Sequence, residues 1–328
     1  MKVGVLQFFS WSRRVPLTTV YERAFERIAI MDEGGYDAVW LAEHHFSTYS
    51  VCPSVTLMGT HVAALTKNLR IGTAVTLAGF YQPLRLAEEL ALLDVLSGGR
   101  LNWGAGRGFD PTEMRTFGVN PDDSADRYRE CVDIVLKAWE DGPVSHQGKN
   151  WQFENVDVLP KPLQQPRPPV WLAATSPESV KRAAADGFTI LMDPHSTHAD
   201  IAGKRKLYRE ILEANGHSMA GREIPTGRLL AIAATDAEAK EVARAGAAWT
   251  VGSYIKPKGT KYAGGEMEEG EDPVERYVNN VVIHGSPERV VDQLLQLKDE
   301  MPLDYLLANP LSHETFVLFT EKVLPKIL

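Results

Sequence analysis

The residues best suited to chemistry are Glu43, His44 and His45, at the end of the apolar segment 38–42. A carboxylate beside imidazoles that titrate near neutrality is the raw material of general acid–base catalysis. The histidines are adjacent, whereas a helical zinc-protease motif needs them four residues apart. In extended chain neighbours point to opposite sides. One histidine is therefore expected to face a cavity and the other to be hydrogen-bonded behind it. Two structural histidines at a strand end is the plainer reading.

Two other groups could hold an anion. The run Gly104-Ala105-Gly106-Arg107-Gly108 is not a dinucleotide fingerprint, because position 109, where the third glycine is needed, is Phe. Small residues around one arginine suit close backbone approach to a ligand and a bidentate charge for phosphate or carboxylate. Thr175, Ser176, Pro177, Glu178 and Ser179 open a helix, where hydroxyls and free N–H groups attract anions. Simple N-capping accounts for Ser-Pro-Glu taken alone. Arg107 and this helix start together make a candidate monophosphate site. Asp193, His195 and His198 could be drawn as a metal site, but their spacing is loose and nothing nearby completes it, so no metal is expected.

These groups need elements to position them. Strands are expected over residues 3–8, 38–42, 69–77, 101–105, 170–173, 189–192, 227–234 and 305–308. Helices are expected over 18–33, 54–66, 83–96, 124–139, 177–185, 199–215, 236–248 and 314–323. Eight continuous apolar strands, each followed by a helix, predict an α/β (β/α)₈ TIM barrel, one domain over residues 1–328. A doubly wound sheet with a Pro-rich linker at 160–169 is the competitor. Residues 144–158 suit a β-hairpin inserted after the fourth unit. Residues 249–273, rich in Gly, Lys and Glu, read as a mobile lid after strand seven or as a solvated loop. Barrel enzymes carry their reactive groups at the C-terminal ends of strands, which is where Glu43, His44, Arg107 and Thr175 would fall.

The 328 residues are 44% apolar and 24% charged, with a net charge of −8. That composition excludes wholesale disorder and argues against a broad nucleic-acid or membrane surface. No apolar run approaches the ~20 residues needed to span a bilayer, and the first residues read as a strand rather than a signal peptide. Two cysteines, Cys52 and Cys131, cannot make a disulfide framework or a four-ligand zinc site, and a cytoplasmic location is expected.

Three stretches in order carry a resemblance: GGYDAVWLAEHHFS (34–47), LRIGTAVTLAGFYQPLRLAEELALLDVLSGGRLNWGAGRG (69–108) and PVWLAATSPESVKRAAADG (169–187), with IHGSPERVVDQL (283–294) further on. The chain resembles the bacterial luciferase-like, flavin-dependent monooxygenase family, most closely its luciferase α-subunit branch. The resemblance implies a (β/α)₈ barrel that binds reduced FMN as co-substrate. Reaction with O₂ then gives a flavin C4a-hydroperoxide that attacks an aldehyde or ketone.

By the same resemblance His44 is the catalytic base and Glu43 belongs to the flavin-pocket shell, with His45 beside them in the substrate pocket. Ala74 and Val75 pass their backbone along the isoalloxazine through a cis bond, and Arg107, Ser176 and Ser179, with the Thr175 backbone, hold the FMN phosphate. Gly106 stands where the α-subunit has a reactive cysteine, and Thr175 where it has a carboxylate, so light emission is not expected. Phe8, Phe9, Trp11, Phe80, Tyr81 and Phe109 would make a dry substrate pocket, sealed by closure of residues 252–270.

No second nucleotide fingerprint is present, so a separate NAD(P)H:flavin reductase is expected to supply FMNH₂. Relatives pair through helices near the second and third strands, so a homodimer is expected. An F420-dependent oxidoreductase on the same barrel is the alternative enzyme, and a non-catalytic flavin-binding protein or silent subunit is the alternative outside catalysis.

Overall fold

The computed structural model describes residues 1–255 and 270–328. Its strands are β1 (Lys2–Gln7), β2 (Ala38–Leu41), β3 (Arg70–Thr73), β4 (Leu101–Ala105), β5 (Val144–Gln147), β6 (Gln152–Val156), β7 (Val170–Ala173), β8 (Thr189–Leu191), β9 (Pro225–Ile232), β10 (Val282–Gly285) and β11 (Tyr305–Pro310). All but β5 and β6 lie in one parallel sheet, ordered β10-β9-β11-β1-β2-β3-β4-β7-β8. The sheet curls until its ends meet. Met192, just past β8, donates from its N–H to Pro225 O at 2.9 Å, and Gly227 N–H donates to Met192 O at 3.1 Å.

The eight expected strands are the ring members β1–β4, β7–β9 and β11, and β5–β6 is the expected hairpin. β10 is a ninth strand that pairs outside the ring with Leu229–Ile232 of β9. The expected strand over 69–77 stops at Thr73, because the chain beyond it makes only a single bridge, Thr76 to Ala105, and turns into a short 3₁₀ segment at Ala78–Phe80. The lid expected after strand seven lies for the most part outside the described residues.

Helices α1 (Leu17–Glu33), α2 (Val55–Leu65), α3 (Pro83–Leu96), α4 (Pro111–Thr116), α5 (Ser124–Ala138), α6 (Pro177–Ala185), α7 (His198–Ala214), α8 (Asp236–Thr250), α9 (Pro273–Asn280), α10 (Pro287–Glu300) and α11 (His313–Leu318) follow the strands. Their starts are written in local chemistry. Ser54 accepts from Leu57 N–H and Thr197 from Asp200 N–H, each filling one of the donors a helix start leaves unpaired. The sequence reading lacked α4, α9, β10 and α10.

The barrel interior is packed around Trp40 on β2, which is fully buried and meets Trp171 edge-on at 5.3 Å and Tyr305 at 6.1 Å. Its indole N–H donates to the Tyr305 hydroxyl at 3.1 Å. An indole this large fits only because β3 offers Gly72 beside it, where a Cβ would sit 2.3 Å from Trp40 Cδ2. A second, larger core of aliphatic and aromatic side chains lies between the sheet and the helices. The rings around Trp40 fill the middle of the barrel above a cavity of about 640 Å³ at the strand starts, lined by Lys2, Asp37, Arg70 and Asn102 among others, and reactive groups are expected at the rim where the strands end.

Candidate active site

The end of β2 divides its histidines as strand alternation requires. Glu43 is buried, and its carboxylate accepts from Tyr81 OH at 3.1 Å and Leu77 N–H at 3.2 Å, with His45 Nε2 at 2.9 Å. Burial pushes this carboxyl above its ordinary pKa, against the pull of those donors. His45 is therefore the histidine tied back to the frame, and its ring packs edge-on against Phe117 at 4.8 Å.

His44 turns the other way, into a group of aromatic rings. It stacks on Phe8 at 5.9 Å and meets Tyr49 edge-on at 5.3 Å and Tyr254 at 5.6 Å. Its N–H donates to Cys52 O at 3.1 Å, which folds the segment that carries Tyr49 back over the rim. The Glu113 carboxylate lies 3.9 Å from His44 Nδ1 and accepts from His45 N–H at 3.0 Å. Glu113 reaches this place because Asp110 caps α4 through Thr112 N–H and Pro111 fits its first turn.

Phe109 joins the group through Tyr254, edge-on at 5.7 Å. Trp11 belongs to its own loop, with its indole N–H on Val15 O at 2.7 Å and Arg14 over its ring at 4.5 Å. Phe9, expected in the pocket, points outward into the helix-facing core beside Tyr21, as alternation after Phe8 demands. Phe80 packs near Gly108 and against Phe117 at 5.4 Å.

On the next stretch of rim, the Ala74–Val75 peptide is cis. Val75 also explains Gly106. A Cβ there would lie 2.3 Å from Val75 Cγ2, so no side chain fits at 106 while Val75 is in place. Arg107 follows β4 and the segment 175–179 follows β7, and these strands are neighbours with Ala105 opposite Leu172. Arg107 is exposed and makes no hydrogen bond or ion pair among the described residues. The Thr175 side chain is exposed as well.

Ser176 and Ser179 form a reciprocal capping box. Ser179 N–H donates to Ser176 Oγ at 3.2 Å, and Ser176 N–H donates to Ser179 Oγ at 3.1 Å. The capping role is thus realised, and an anion at this helix start would draw on hydroxyls already in use. The set still fits a phosphate, since a guanidinium with no partner among the described residues and a helix N-terminus follow neighbouring strands.

Tyr49, Glu113, His195 and Tyr277 were not foreseen at the site, and Tyr254 belongs to the segment 252–270 expected to close over it. His195, whose sequence position suggested only a metal ligand, is buried, and Tyr49 OH lies 3.3 Å from its Nε2. Among the described residues no group of three His, Cys, Asp or Glu could hold a metal ion. Burial pushes the thiols of Cys52 and Cys131 up to about 12, so neither is a nucleophile near neutrality.

A parallel barrel with an acid–base group in an aromatic pocket at the C-terminal rim has the layout of a barrel enzyme. Residues 1–302 match the model of the luciferase-like monooxygenases, and the chain belongs to that family. The oxygenase component of flavin-dependent trigonelline monooxygenase from Acinetobacter baylyi is 35% identical over 177 residues, 53% of this chain and 49% of that one. The chain spans about half the length of the curated relatives it matches.

Among solved structures, the monooxygenase RslO1 from Streptomyces bottropensis aligns with a TM-score of 0.86 at 24% identity, covering all of both chains. The oxygenating constituent of 3,6-diketocamphane monooxygenase from Pseudomonas putida, in complex with FMN, aligns at 0.82 and 22%, covering 100% of this chain and 99% of that one. At such identities these two establish the fold. No helix among the described residues is long and apolar enough to cross a membrane.

Proposed function

We propose that the chain is the oxygenase of a two-component FMNH₂-dependent monooxygenase that inserts oxygen into a small or medium apolar carbonyl compound, an aldehyde or ketone. The observation that carries this reading is the division of labour at β2: Glu43 anchors His45, and His44 is left facing a pocket of Phe8, Tyr49, Phe109 and Tyr254. Bound reduced FMN would supply the electrons that activate O₂. The chain's own residues bind, orient and keep dry. Arg107, with Thr175, Ser176 and Ser179, would hold the FMN phosphate, and the Ala74–Val75 backbone would contact its flavin ring. The rings exclude water. His44 moves a proton at a ring nitrogen, and an imidazolium formed there faces the Glu113 carboxylate.

No metal takes part in this scheme. A separate NAD(P)H:flavin reductase supplies the reduced cofactor in the cytoplasm, in keeping with two free cysteines. A homodimer forms through α2 and α3, whose outer faces leave Leu57 74% and Leu96 57% exposed, with Leu65 and Leu92 beside them.

Anaerobic titration with FMNH₂, followed by admission of O₂ with octanal or cyclohexanone as probes, tests the reading. FMNH₂ binding and an oxygenated product are expected. Binding of reduced F420 in place of FMNH₂, or flavin binding with no oxygenated product from either probe, contradicts it.

A further inference from the structure

The cavity of about 640 Å³ lies where the strands begin, at the opposite end of the barrel from His44 and Arg107. Lys2, Arg70, Val170, Thr189 and Tyr305, each the first residue of its strand, contribute to its wall. Trp171 and Tyr305 close it on the side of the rim by packing on Trp40. Four cationic side chains, Lys2, Arg70, Arg167 and Arg222, line it against two carboxylates, Asp37 and Glu223. Both carboxylates are taken up by Lys2, whose Nζ lies 2.8 Å from Glu223 Oε2 and 3.7 Å from Asp37 Oδ1. Asp37 also accepts from the Tyr305 hydroxyl.

The three guanidiniums have no carboxylate of their own. Arg70 donates from Nε to Asn102 Oδ1 at 2.8 Å, and from Nη2 to Leu101 O and Gln164 Oε1 at 2.9 Å each. Arg222 donates from Nε to Ser218 O at 2.7 Å, and from Nη1 to Gly187 O at 2.8 Å and Thr189 Oγ1 at 3.2 Å. These uncharged oxygens hold both groups at the wall without neutralising them. Asp94, the carboxylate behind Gln164, is taken by that residue's N–H at 2.9 Å and side-chain amide at 2.7 Å. Arg167 is exposed and makes no hydrogen bond or ion pair among the described residues. It stands between Pro166 and Pro168, whose rings stiffen the backbone on both sides, so its side chain is presented with little backbone freedom left to lose.

A surplus of positive charge around one cavity repels itself, and here it sits in a chain whose net charge is −8. A multiply charged oxyanion relieves that repulsion, and guanidiniums match carboxylate and phosphate through paired N–H donors. We propose that the cavity at the strand starts binds a small organic polyanion, one carrying two or more carboxylate or phosphate groups, among Arg70, Arg167 and Arg222. The site stands apart from the monooxygenase reading, and neither depends on the other.

Calorimetric titration of the full chain without flavin, at low salt, with citrate and with pyrophosphate tests this. One equivalent of at least one of the two is expected to bind, and the tighter of them shows whether carboxylate or phosphate is preferred. Acetate, with a single charge, should bind at least tenfold more weakly. Arg167→Ala removes an exposed side chain that supports no hydrogen bond among the described residues, so the fold is kept. It should weaken binding about ten- to a hundredfold, the worth of a charge-assisted contact. Arg107→Ala, at the rim, should leave the affinity for the same anion unchanged. Failure of both polyanions to bind overturns the proposal, as does undiminished binding in Arg167→Ala. A loss in Arg107→Ala in its place puts the anion at the rim and overturns it equally.

Discussion

His44 and His45 differ by one position in sequence and by the whole thickness of the barrel wall in surroundings. Strand alternation alone foretold that one would be tied back and the other would face the pocket. Glu113 and Tyr49 were not legible, because both arrive by chain that doubles back: a six-residue helix in one case, a loop closed by His44 N–H on Cys52 O in the other. Arg107→Ala should weaken FMNH₂ binding about ten- to a hundredfold, the worth of a charge-assisted contact, and leave reduced riboflavin, which lacks the phosphate, unaffected. Equal losses for both flavins in anaerobic titrations would remove Arg107 from the phosphate site. Burial, with Arg228 nearby, holds the His198 ring down at about 4 against 6.5 for an ordinary histidine. The folded chain therefore keeps the ring neutral while the unfolded chain gains a proton as pH falls below about 6.5. Stability contributed above pH 6.5 is lost progressively toward pH 4, by about 3 kcal/mol in all. Denaturant midpoints at pH 7 and pH 4 should show this loss in the wild type and a smaller one in His198→Gln. The same loss in both would refute it.

At the scale of elements, the helices legible in sequence were those with a cap and a long apolar periodicity, such as α3 behind Gln82-Pro83 and α6 behind Ser176-Pro177. The same signal was present at Asp110-Pro111, Asp272-Pro273 and Ser286-Pro287. It went unread for α4 and α9 because six and eight residues carry little periodicity. β10 has only four residues, too few for a strand pattern, and α10 follows directly behind it. Strand packing gives a sharper test. Gly72 on β3 leaves room for Trp40 on β2, so Gly72→Ala forces the indole or the strand to move. Urea unfolding should register a loss of about 1–3 kcal/mol. Wild-type stability in that variant would mean the barrel interior is looser than described.

At the scale of the molecule, the ring of eight strands followed from counting apolar runs, because strands covered on both faces leave continuous rather than alternating patterns. The ninth strand and the aromatic roof over His44 did not follow, since they depend on how separate loops meet at the rim. The exposed leucines of α2 and α3 belong here too. Light scattering should give a dimer for the wild type and a monomer for Leu92→Glu/Leu96→Glu, and a monomeric wild type would leave those leucines unexplained. We expect oxygen to reach substrate in the pocket before His44, which a comparison of wild type with His44→Ala in FMNH₂ affinity and in product formed per O₂ consumed would test. FMNH₂ affinity should be unchanged while product falls roughly a hundredfold or more, the scale of a lost general acid–base group. Undiminished product from His44→Ala would remove His44 from the reaction.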